Sequence, residues 1–278
     1  MIIWLASYPK SGNTWVRLFL NSLLFSKDKS IDINNITIKQ FPLRKNFEGI
    51  TCDIDTVSGF VKNCEHTQTR INLDNKIKFF KTHNAFWKSG EYSFTNKENT
   101  LGVIYIVRDP RNIITSIKNH YSLNNYDEAL EFLKDEKTII GLKNSTAEMD
   151  LPTIVSSWKN HFNSWKKLNC NYLLIKYENL LDQPLTEFFK ITNFLKKISN
   201  FNFNEKNIYK SIENSNFINL KEKEKLYGFN EASKNKLNKK INFFNLGPDN
   251  DYKKLLDNKI KNEIENSFKI EMKELNYL

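Results

Sequence analysis

The stretch Ser7-Tyr-Pro-Lys-Ser-Gly-Asn-Thr-Trp15 sets a lysine, two hydroxyls and a glycine ahead of an apolar helical pattern. Those residue types suit an anion. Gly12 permits a tight turn and close backbone approach. Asn13 and Thr14 suit a helix start, where exposed N–H groups and the helix dipole attract negative oxygens. Lys10 adds a mobile charge, and the Ser11 and Thr14 hydroxyls add donors. The competing reading is an ordinary strand-to-helix turn. A second group is Arg108 with Ser116 eight residues later. An arginine there can grip a phosphate with two prongs, unless it is consumed by Asp109. A third is Phe80-Lys81-Thr82-His83. An imidazole with a pKa of about 6.5 can take a hydroxyl proton at neutral pH, although a lone histidine is by default structural.

The order of residues in the first loop limits the chemistry. The nucleotide-hydrolase loop reads G-x-x-x-x-G-K-[ST], and its Ser or Thr binds Mg²⁺. Here the lysine precedes the glycine, and no Gly-Lys-Ser/Thr occurs. The expectation is anion chemistry without a metal.

These groups need a scaffold. Apolar runs predict strands at 2–6, 76–81, 101–107 and 172–176, and helical spacing predicts helices at 14–25, 111–121, 127–136, 153–168, 184–195 and 252–275. Residues 27–75 read as short helices and loops. Strands alternating with helices predict an α/β three-layer sandwich, a mostly parallel central sheet with helices on both faces. Ligands of such sheets sit at the carboxyl ends of strands, where all three groups fall. No linker or repeat divides the chain, so 1–278 reads as one domain.

Tyr-Pro-Lys-Ser-Gly-x-Thr-Trp, from Tyr8 to Trp15, resembles the 5′-phosphosulfate loop of the sulfotransferases that use 3′-phosphoadenylyl sulfate. Further segments follow in that family's order. They are Lys81-Thr-His83, Arg108 with Ser116, Ser157-Trp-x-x-His161-x-x-x-Trp165, Tyr177-Glu-x-Leu180, and Ser215-Asn-Phe217-x-x-Leu220. The resemblance implies a P-loop-like fold and sulfuryl transfer to an acceptor hydroxyl, with an amine as the other possibility. His83 would be the general base, and Lys10 would stabilise the leaving phosphate. Lys81 would steady the transferring group, and Ser116 would hold the 3′-phosphate and restrain Lys10. The donor would be bound by Lys10, Ser11, Gly12, Asn13, Thr14, Trp15, Arg108, Ser116, Tyr177, Phe217 and Gly247. Trp15 and Phe217 would face the adenine. The helix bearing His161 reads as a buried aromatic stripe that supports the fold. One departure stands out. The family's Phe-x-Arg-Lys-Gly is Phe243-Phe-Asn245-Leu246-Gly247 here, so the charged pair is neutral. Arg111, Lys239, Lys240 or Lys253 compensates, or donor affinity falls, or the donor differs.

Composition bounds the rest. At 278 residues, 40% hydrophobic and 13% aromatic, the chain can bury a core and is not disordered. The net charge of +10 comes almost wholly from scattered lysines, which suit a solvated surface and a polyanionic small ligand. Three cysteines without a CxxC pair predict neither disulfide framework nor zinc site. No signal peptide, lipid-anchor motif or membrane span is read, so the expected location is cytoplasmic, with neither membrane nor nucleic acid as partner. A carbohydrate or other small alcohol is the expected acceptor, with lids from 27–75, 84–99 and 122–152. Oligomeric state is not legible. The alternatives are a metal-dependent nucleotide kinase of P-loop type, a catalytically impaired sulfotransferase-like nucleotide binder and, on charge alone, a nucleic-acid-binding protein.

Overall fold

The first apolar run forms β1 (Ile2–Ser7), whose residues are all buried, as a strand covered on both faces requires. The computed structural model describes residues 1–50, 53–141, 151–233 and 238–278; Cys52 and part of the expected acceptor lids lie outside them. In chain order there follow α1 (Asn13–Phe25), β2 (Lys39–Gln40), α2 (Val57–Asn72), β3 (Lys78–Thr82), β4 (Lys88–Ser89), β5 (Tyr92–Ser93) and β6 (Thr100–Val107). Next come α3 (Pro110–His120), α4 (Tyr126–Lys134), β7 (Ile139–Ile140), β8 (Thr153–Ile154), α5 (Trp158–Trp165) and β9 (Asn171–Lys176). The chain ends in helices: α6 (Tyr177–Asp182), α7 (Pro184–Ile198), α8 (Glu205–Asn214), α9 (Phe217–Tyr227), α10 (Tyr252–Leu255), α11 (Asn258–Ser267) and α12 (Lys269–Glu274).

Two compact units share these elements. The first comprises Met1–Pro9, Ile38–Val107 and Asp135–Leu174. Its main sheet has the order β2-β3-β1-β6-β9, and β1 runs parallel to both β3 and β6. Ala6 pairs with Thr82 on one side and Tyr105 on the other, so β1, β3 and β6 end within about two residues of one another. Behind the sheet residues lies an aromatic core in which the Trp4 ring packs 5.2 Å from Phe94 and 5.5 Å from Phe41. The second unit comprises Lys10–Thr37, Arg108–Lys134 and Ile175–Leu278. Within it Phe19 of α1 packs 4.1 Å from Phe188 of α7.

Three of the segments read from the sequence fold differently. The 16-residue α2 occupies part of a segment read as short pieces. Its inward face is Phe60, Cys64, Thr67 and Gln68; the spacing is helical, but half of it is polar. His66 is an exposed residue of this helix. The helix expected at 153–168 starts only at Trp158, because Ser157 caps it by accepting from Asn160 N, and Thr153–Ile154 pairs as a strand. The helix expected at 252–275 is three helices, the second begun by the Asp257 cap.

Candidate functional site

In the second unit the anion loop has the backbone its sequence demands. Lys10 and Gly12 have φ of 65° and 95°. A Cβ on Gly12 would lie 2.4 Å from the Tyr177 ring, so only glycine fits. Asn13 and Thr14 open α1, and its N-cap residue, Gly12, makes no side-chain cap. Ser11 is fully buried and its Oγ has no hydrogen-bond partner. An unpaired buried hydroxyl is costly, and an anionic oxygen in the loop would relieve it.

Arg108 closes this loop. Its Nη1 donates to the Lys10 carbonyl at 3.1 Å and to Ser116 Oγ at 3.5 Å. The guanidinium stacks 4.1 Å over the Tyr177 ring, and burial raises the Tyr177 phenol above its usual range. Asp109 does not consume Arg108. It caps α3 by accepting from Arg111 N at 2.9 Å, and it pairs with the Arg111 guanidinium at 2.6 Å. Arg108 Nε is therefore buried without a partner. Ser116 Oγ also accepts from Asn250 Nδ2 at 3.4 Å.

Lys10 Nζ lies 3.4 Å from His120 Nδ1 and 4.0 Å over the Phe243 ring. Sequence reasoning gave His120 no role, yet Asn112, Ser116 and His120 recur every fourth residue along α3 and share one face. Trp15 meets Tyr177 and Phe188 edge-on, at 6.0 and 5.8 Å. Phe217 packs on Gly247, where a Cβ would fall 2.2 Å from its ring. The neutral pair Asn245-Leu246 is not offset by Arg111, which is held by Asp109, Glu265 and the Tyr277 carbonyl. Lys221, overlooked in the sequence, donates to the Asn245 carbonyl at 3.2 Å and sits 5.6 Å from the Phe217 ring. The signal was its place one helical turn after Phe217.

In the first unit His83 follows β3 directly and is buried. Its Nδ1 lies 2.8 Å from the Ser7 carbonyl. A carbonyl only accepts, so Nδ1 carries the proton and a neutral ring keeps its lone pair on Nε2. Lys81, two residues earlier, is 7% exposed and pairs in register with Leu5 and Gln40. Among the described residues, no group of three or more His, Cys, Asp and Glu is placed to hold a metal ion. Nor, among them, is any helix long and apolar enough to cross a membrane.

A mostly parallel sheet flanked by helices, with a glycine turn leading from its first strand into α1, gives a P-loop-like α/β fold. The family model for the sulfotransferase domain matches residues 2–276, and the chain belongs to that family. Sulfotransferase 1B1 of Canis lupus familiaris is 26% identical over 225 residues, covering 78% of this chain and 65% of that protein. The amine sulfotransferase of Oryctolagus cuniculus is 20% identical over 225 residues, covering 79% and 62%. The chain thus spans just under two thirds of the length of these relatives. Among solved structures, a mouse sulfotransferase complexed with PAP superposes with a TM-score of 0.58 at 20% identity, over 97% of this chain and 83% of that one. Retinol dehydratase in complex with androsterone and inactive cofactor PAP gives 0.59 at 17%, over 98% and 80%. At these identities the likeness shows the fold, a mostly parallel sheet flanked by helices.

Proposed function

We propose that the chain is one functional domain that moves a sulfuryl group from 3′-phosphoadenylyl sulfate to an acceptor hydroxyl on a small molecule or carbohydrate. The observation that carries this reading is Arg108. It is buried on the Lys10 carbonyl and Ser116 with one N–H unspent, beside a loop that only glycine can complete. The neighbouring structures with PAP support the same nucleotide class. Ser11, Gly12, Asn13, Thr14 and Lys10 would hold the 5′ end of the donor, and Arg108 and Ser116 the 3′-phosphate. Trp15, Tyr177, Phe217 and Gly247 would border the base.

His83 Nε2 would take the acceptor proton, and a base of this kind contributes about 10²- to 10⁴-fold. Lys10 would meet the charge that grows on the leaving phosphate, and Lys81 would steady the group in flight. These lysines supply the charge that a metal supplies in kinases. His83→Ala tests the reading. Incubation with sulfur-35-labelled donor and a panel of sugars and phenols should show transfer reduced at least about 100-fold, with adenosine 3′,5′-bisphosphate still bound. Undiminished transfer removes His83 from the reaction.

A further inference from the structure

His83 lies beyond the last ladder residue of β3, in the irregular segment 83–87. Buried backbone groups outside a sheet must find partners elsewhere. One face of α5 supplies them. His161 Nε2 lies 3.2 Å from the His83 carbonyl, Trp165 Nε1 donates to the Asn84 carbonyl at 2.9 Å, and Ser164 Oγ accepts from Phe86 N at 2.9 Å. These three residues stand at i, i+3 and i+4, so the helix presents a row of polar groups cut to the backbone of that segment.

The protons in this row have one arrangement. His161 is fully buried, and Tyr105 is 1% exposed. Burial lowers His161 to about 3, so its ring is neutral and carries a single N–H. The His83 carbonyl can only accept, which puts that proton on Nε2. His161 Nδ1 then accepts from the Tyr105 hydroxyl at 2.7 Å. That phenol stays protonated, because burial raises its pKa well above the usual value. On the far side the His83 ring gives its own Nδ1 proton to the Ser7 carbonyl. The two histidines hold opposite tautomers, and each is fixed by a group that cannot reverse its role.

We propose that His161, locked by Tyr105, is a positioning residue that holds the His83 peptide so that Nε2 of the base meets the acceptor. This rests on the proposed role of His83. A helix face that reads in sequence as an aromatic stripe thereby serves the chemistry through its polar members.

The test uses the full chain labelled with nitrogen-15 at histidine, which has only four such residues. Long-range proton–nitrogen spectra should show His83 with its proton on Nδ1, and His161 with its proton on Nε2 and no titration between pH 5 and 8. His161 found with its proton on Nδ1, or titrating in that range, overturns the proposal. Turnover of labelled donor with the sugar and phenol panel gives the second readout. His161→Leu should lower kcat about tenfold to hundredfold, the cost of misplacing a reacting group by about 1 Å, with KM for the donor within about twofold. His161→Gln, whose amide N–H can reach the same carbonyl, should restore most of it. Tyr105→Phe, a change of one oxygen, should lower kcat in the same way and loosen the His161 tautomer. Equal losses in the Leu and Gln variants, or no loss in either, count against positioning. If His83→Ala keeps full turnover, the base assignment fails instead, and the two failures are separate.

Discussion

At the scale of single residues, the anion loop depends on which partner each cation chooses. Asp109 is the nearest carboxylate to Arg108 in sequence, yet it serves Arg111 and the α3 N-terminus. A buried pair with that geometry is strongly coupled, and burying Arg111 without Asp109 would cost several kcal/mol. Arg108 consequently keeps its Nε unspent, with Tyr177 as its shelf. A hydrogen bond to a charged group contributes about 1.5–3 kcal/mol, and each 1.4 kcal/mol is about tenfold in affinity. Arg108→Ala should weaken adenosine 3′,5′-bisphosphate by about tenfold to a hundredfold in calorimetric titration. Arg108→Lys should fall between, because it keeps the charge and loses the fork. An Arg108→Ala protein with an unaltered Kd would place the 3′-phosphate elsewhere.

At the scale of elements, the buried strands were legible because parallel strands covered on both faces are written as unbroken apolar runs. Ile2–Ala6 and Val103–Val107 leave no other reading. The anion loop was legible for a different reason: positive φ at Gly12 and a ring against its Cα admit one residue type. What the sequence hid are helices with polar inward faces, such as α2 with Thr67 and Gln68 at its core, since hydrophobic periodicity carries no mark of them. It also hid contacts across long separations. Asn250 is the example. Its Oδ1 accepts from Thr115 Oγ1 at 2.7 Å, and its Nδ2 donates to the Asn112 carbonyl at 2.7 Å and reaches Ser116 Oγ. It therefore ties the turn after Gly247 to the α3 face that carries Ser116. Asn250→Ala should cost about 1–3 kcal/mol of stability by leaving buried groups unpaired, and should weaken the nucleotide severalfold. Urea unfolding and the same titration check this. If neither midpoint nor Kd moves, the turn is held by something other than Asn250.

At the scale of the whole molecule, 42 cationic and 32 acidic side chains give +10 at neutral pH, and acidification adds to that charge in folded and unfolded chains alike. His161 behaves differently in the two states. Its ordinary value is 6.5 and its folded value is about 3, because burial penalises the imidazolium. The unfolded chain takes the proton first. The stability that depends on a neutral His161 is therefore complete above about pH 6.5 and is lost as pH falls toward 3. The slope approaches about 1.4 kcal/mol per pH unit. Glu178 acts in the opposite sense. Burial raises its carboxyl, so protonating it favours the folded state and offsets part of the loss. Comparing the natural chain with His161→Gln removes Glu178 and every other shared group from the difference. Urea unfolding from pH 7.5 to 4.5 should show the two proteins with similar pH dependence above about 6.5. Below it the natural chain should lose stability faster, with the gap widening by up to about 1.4 kcal/mol for each further pH unit. Parallel curves would mean that His161 accepts a proton in the folded state, and the hydrogen bond that its Nδ1 accepts from the Tyr105 hydroxyl would fall with that result.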